Sequence, residues 1–119
     1  MSEEELANTK AMLNFDALAT GSGVVVFGDE DITTMVSAIR SDIGVDVAVT
    51  RGLRGSSSDF ASFREADVPY LMFSADDASR IHSERDTIEF VQPEMLGGAA
   101  AAAAELLRSK EFATWIGNR

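Results

Sequence analysis

Short apolar runs alternate along this chain with stretches of helical spacing, and the switches between the two mark out its elements. Residues 2–10 predict a short helix, with Ser2 as N-cap and Glu5 at the capping-box position. Residues 11–18 are apolar with polar interruptions and suit a strand ending near Asp16. Residues 21–23, Gly-Ser-Gly, read as a turn, and the Val-Val-Val-Phe run at 24–27 as a short strand buried on both faces. Asp29 and Asp31 offer an N-cap for a helix reaching Arg40, in which Ile32, Met35, Val36 and Ile39 recur at i, i+3, i+4 and i+7. Residues 45–49 form another strand, 51–58 a loop and 59–66 a short helix, after which Pro69 opens a strand to Phe73. Pro93 fits the first position of a long helix reaching about Leu107, and residues 111–115 add a last turn. The alanine run at 99–104 carries no chemistry; its small side chains let a helix approach a sheet or another helix closely.

Strands alternating with helices predict an α/β fold with a mostly parallel sheet. A chain of 119 residues is expected to form a single domain over 1–119 with a real core, and no internal repeat or linker interrupts it.

Charge narrows the picture further. Twenty acidic residues face ten basic ones, a formal net charge of −10, and the only lysines are Lys10 and Lys110. Acidic surfaces with arginine in place of lysine resemble those of proteins from salt-loving organisms, where salt screens the self-repulsion; an ordinary acidic protein is the alternative reading. Nucleic acid and anionic membranes are set aside as partners, because both are bound through basic patches. The opening Met-Ser-Glu-Glu-Glu is acidic, unlike a secretory leader, and the absence of cysteine removes disulfides and thiolate ligands. Both fit a cytoplasmic location.

Candidate chemistry lies in three short motifs. Leu13-Asn14-Phe15-Asp16-Ala17-Leu18 precedes Gly21; Ser58-Asp59-Phe60 precedes Phe63 and Val68-Pro69; and Ile81-His82-Ser83-Glu84-Arg85-Asp86-Thr87 follows the Tyr70 strand. In this order they resemble the co-catalytic zinc aminopeptidases and the glutamate-carboxypeptidase-like metallopeptidases. That family reads N-L-D-M-V-G, then S-D-H-x-P-F-x-x-x-G-I-P, an apolar strand, and Y-H-T-x-x-D-T. The similarity runs from about residue 11 to 107. It implies a partial aminopeptidase-like three-layer sandwich, with about four strands, helices on both faces, and the remainder of the family's larger sheet missing. It also implies a zinc cofactor and a peptide substrate, with Asp16 ligating one metal of a pair and His82 the other. Asp59, Phe60, Arg54 and Asp86 would stand on the substrate side or brace the ligand loop.

The residue types suit that chemistry. Two zinc ions about 3.5–4 Å apart polarise a carbonyl and deprotonate a bridging water. They need His and carboxylate ligands on each side and a nearby Glu as general base. In the family a first His, a bridging Asp and a Glu-Glu pair precede the Asp16 motif; here no histidine does, and His82 is the only one in the chain. The chain alone is therefore expected to be inactive. Read without the resemblance, Asp16 is a polar residue closing a strand and His82 a loop histidine. Phe60 stands in a family His position, Ser62 in a Pro position, Ile81 in place of Tyr, Glu84 in place of Pro and Asp67 in place of Gly. Aspartate tolerates positive φ better than most residues, so the last change is mild. Residues 51–58, with Arg51 and Arg54, could cradle an anion but lack a phosphate-loop ending, and the serines of 56–58 form no evident nucleophile–base arrangement. Two further readings stay open: a non-catalytic α/β interaction domain, and a metallohydrolase completed by other carboxylates. A sheet lacking neighbouring strands would expose an edge, so partnership with a second copy or with the upstream half is expected.

Overall fold

The apolar runs at 24–27 and 70–73 become the two central strands of one sheet. The computed structural model describes residues 1–18, 21, 23–39, 47–50, 58–76, 87, 89 and 91–119. Within them, β1 (Met12–Phe15), β2 (Val24–Gly28), β3 (Val47–Val49) and β4 (Tyr70–Ala75) are ordered β1-β4-β2-β3. A strand covered on both faces has no solvent side for polar residues, and Val24 to Phe27 and Leu71 to Ala75 are accordingly buried throughout. The expected parallel pairing holds for β1 with β4 and for β2 with β3, whereas β2 and β4 run antiparallel with Val26 opposite Phe73. The sheet is mixed, parallel at its two outer pairings.

The helices among the described residues are α1 (Glu3–Asn8), α2 (Glu30–Ile39), α3 (Phe60–Glu65), α4 (Pro93–Arg108) and α5 (Lys110–Gly117). They cover both faces of the sheet, because alternate strand residues point opposite ways. Val24, Val26, Leu71, Phe73 and Ala75 pack with Ile32 and Val36 of α2, Met95, Ala99, Ala102, Ala103 and Leu106 of α4, and Phe112 of α5. On the other face Phe27 and Met72 pack with Phe60 of α3, flanked by Met12 and Tyr70. The alanine run thus serves as the close-packing stripe of α4. Burying one large apolar side chain contributes about 1.5–3 kcal/mol, so the first face carries most of the stability.

Cap chemistry sets the helix ends. Ser2 and Glu5 form the predicted capping box, with Ser2 N–H donating to Glu5 Oε2 at 2.7 Å and Glu5 N–H to Ser2 Oγ at 3.1 Å. Hydrogen bonding to the Glu5 carboxyl from the Ser2 backbone, then from the Ser2 side chain, holds it below the usual carboxylate range. Asp29 caps α2, its Oδ1 accepting from Asp31 N–H at 2.9 Å. At the end of α3, Asp67 N–H donates to Arg64 O and Val68 N–H to Phe63 O, a Schellman closure with Asp67 at the left-handed position, φ 58°. This is where the resembling family carries glycine.

One expectation is corrected. Residues 111–115 are no last turn of the long helix but lie in a separate helix, because Ser109 is extended at φ −69°, ψ 145°. Its hydroxyl donates to Leu106 O at 2.8 Å and accepts from Phe112 N–H at 3.2 Å, which ends one helix and starts the next. Trp115 Nε1–H then donates to Asp31 Oδ2 at 3.1 Å, tying α5 to the start of α2.

Candidate functional site

The polar residues with chemistry to offer gather where β1 ends. Asp16 follows the last residue of β1, and its N–H donates to Phe73 O at 3.1 Å, so the β4 backbone holds it in place. Ala17 takes a left-handed φ of 53°, and its carbonyl accepts from Ala75 N–H at 3.2 Å. A non-glycine residue in that region carries strain, and the turn directs the chain out of the sheet directly after Asp16. The Asp16 carboxylate is exposed to solvent.

Ser58, just ahead of α3, reaches this carboxylate across the top of the sheet. Its Oγ donates to Asp16 Oδ2 at 2.6 Å and accepts from Asn14 Nδ2 at 3.0 Å. A distance of about 2.5–2.7 Å is the range of a charge-assisted O–H···O⁻ bond. Asn14 is 6% exposed and sits two residues before Asp16 on the α3 side of β1. Asp59, next along the chain, is exposed and makes no side-chain cap to α3.

Phe60 lies elsewhere than a pocket wall. It is 2% exposed, stacks on Tyr70 with ring centroids 4.7 Å apart, and meets Phe27 edge-on at 5.6 Å. Its place is the core beneath α3. His82, Asp86 and Arg54 fall outside the described residues.

The assembled group is therefore Asn14, Asp16 and Ser58 with Asp59 adjoining. Ser58 holds the exposed Asp16 carboxylate through one of its oxygens, and an exposed carboxylate fixed in this way suits a cation. It does not suit nucleophilic catalysis, because a carboxylate is too weak a base to deprotonate a serine hydroxyl. Among the described residues no group of three or more His, Cys, Asp or Glu side chains is placed to hold a metal ion. They fit one corner of a zinc centre and not a whole one. The groove of about 270 Å³ lined by Gly28, Asp29, Arg64, Tyr70 and Arg119 lies at the opposite end of the sheet and includes none of these groups.

Sequence reasoning singled out Asp16 and Asp59 but passed over Asn14 and Ser58 as site residues. For Asn14 a signal existed, a polar residue at the inward position of an otherwise apolar strand. For Ser58 there was none beyond its place in a motif.

Solved structures share this architecture. An aminopeptidase from Aneurinibacillus sp. strain AM-1 superposes with a TM-score of 0.71 at 20% identity, over 90% of this chain and 27% of that one. The Legionella pneumophila LapA aminopeptidase gives 0.69 at 24% identity, over 87% of this chain and 32% of that one. The chain thus spans less than a third of the length of either structure. No curated protein matches it. The sequence pattern of peptidase family M28 matches residues 1–107, nearly the whole chain with all three motifs. This chain belongs to peptidase family M28.

Proposed function

We propose that the chain forms part of a zinc-dependent exopeptidase site of the aminopeptidase type, to which it contributes Asp16 and His82 as metal ligands. Arg54, Asp59 and Asp86 would stand around that site toward the peptide substrate or behind the ligand loop. What carries the reading is the exposed Asp16 carboxylate, fixed at a strand end by Ser58 through one of its oxygens. Zinc, when bound, supplies Lewis acidity toward the scissile carbonyl and a water acidic enough to ionise near neutral pH. This chain's own part is to hold Asp16 in place.

With one histidine and no cysteine, the chain offers two of the ligands that the family pattern names, where a catalytic zinc takes three protein ligands and a water. Alone it is expected to hydrolyse no peptide. The test is zinc stoichiometry: the chain dialysed against zinc in high-salt buffer, with metal per chain counted by mass spectrometry. Zinc that is retained by the wild type and lost in both Asp16→Ala and His82→Ala is the expected result. No zinc, or zinc indifferent to both substitutions, would overturn the reading.

A second reading is favoured by Phe15. It lies on β1, at one end of the strand order, and is 44% exposed while its ring stacks on Phe73 at 4.5 Å. A non-catalytic module that pairs along this edge with a second copy would cover that ring. Light scattering on the eluting peak at high concentration should then give a dimer mass; a monomer would remove this reading.

A further inference from the structure

We infer that Asn14 is a positioning residue: acting through the Ser58 hydroxyl, it sets the orientation of the Asp16 carboxylate and decides which of its oxygens Ser58 holds. The inference rests on the reading of Asp16 as a metal-facing carboxylate, but its physical content concerns only three side chains of this chain.

Proton count drives the argument. A serine hydroxyl has one proton to donate, and an ionised carboxylate can only accept. The 2.6 Å contact to Asp16 Oδ2 therefore consumes the single Ser58 proton. Whatever else approaches Ser58 must donate to it, so the Asn14 amide has to present its NH₂ end, as it does at 3.0 Å. The chain of bonds has one direction, from amide to hydroxyl to carboxylate. An asparagine at 6% exposure on β1 has little room to turn, and it anchors the series from inside the fold. Without that donor, the hydroxyl can rotate to other acceptors, and the exposed Asp16 side chain is free to leave its rotamer.

Aspartate cannot replace asparagine in this role, since two carboxylates would compete for one proton. Serine at position 58 can be replaced only by another hydroxyl. Partners that orient a metal-ligating side chain typically change metal affinity by about 10–100-fold when removed. That range sets the size of the effect expected at Asp16.

The experiment uses the full chain, isotopically labelled and metal-free, and reads the three-bond couplings that report the Asp16 χ1 rotamer. A single rotamer is expected in the wild type, with averaging in Asn14→Leu and in Ser58→Ala and the single rotamer kept in Ser58→Thr. An averaged Asp16 in the wild type, or a single rotamer surviving in Asn14→Leu, would overturn the inference. Should Asn14→Leu fail to fold, the half-buried Ser58→Ala tests the same link from the other side. The Asn14 side-chain amide protons should then exchange with solvent about fivefold faster, as befits a lost bond of roughly 1 kcal/mol, and unchanged exchange would sink the proposal. Zinc titration of the same variants separates the two readings. Averaging in the variants with no zinc bound by the wild type defeats the metal reading and leaves the positioning role intact. Zinc bound equally by wild type and Asn14→Leu, with the rotamer unchanged, defeats the positioning role alone.

Discussion

Replacing Gly28 by alanine is expected to lower stability by about 3–4 kcal/mol, the sum of a forced clash with the β4 backbone and a disfavoured φ. Gly28 closes β2 at a φ of 149°, and a Cβ built there would lie 2.2 Å from the Tyr70 carbonyl oxygen and 3.1 Å from Leu71 Cα. Both obstacles are backbone of β4, a central strand that cannot swing aside as a flexible side chain would. The same Tyr70 oxygen accepts from Asp29 N–H at 2.8 Å, so pushing β4 away also breaks the bond that ties the junction of β2 and α2 to the start of β4. Natural domains have about 5–15 kcal/mol in total, so the loss would be a large share of what holds this chain together. In thermal unfolding the midpoint should fall by about 10–15 °C. A midpoint within about 3 °C of wild type would mean that the β2–β4 approach yields, contrary to the geometry.

Phe60→Ala is expected to cost about 3–5 kcal/mol, the usual range for emptying a buried aromatic site. Phe60 is the buried residue through which α3 joins its core cluster, held between Tyr70 and Phe27, and Arg64 lies over its ring at 5.5 Å. Alanine would leave a cavity between α3 and the sheet and loosen the segment that carries Ser58. Urea unfolding of the variant should show the lower midpoint with an unchanged slope. Phe60→Leu keeps most of the volume and should recover more than half of the loss. Stability equal to wild type in Phe60→Ala would detach Phe60 from the core and return it to the substrate side.

Phe60 also shows where sequence reading runs out. Lined up with a family motif, it occupies a position that elsewhere carries histidine, and alignment alone assigns it to a pocket. Burial is settled by which sheet face α3 covers, and that depends on β1, β2 and β4 coming together from distant parts of the chain. The end of α3 is the opposite case. Asp67 in a family glycine position predicts a tolerated positive φ, and the Schellman closure bears it out at 58°.

Local chemistry therefore accounts for much of this fold. The uninterrupted apolar runs of β2 and β4, the Ser2–Glu5 and Asp29 caps, the proline that opens α4 and the aspartate that ends β1 are each written within a few neighbouring residues. Period and capping act over such distances, so their outcome can be read from sequence alone. The tertiary structure alone decided three things: the antiparallel junction of β2 with β4, the break of α4 from α5, and the meeting of Asn14, Ser58 and Asp16. Ser58 lies 44 and 42 positions along the chain from Asn14 and Asp16, and a hydrogen bond across that interval leaves no periodic trace. Register between non-adjacent strands is set by the packing of whole faces, which no single segment encodes.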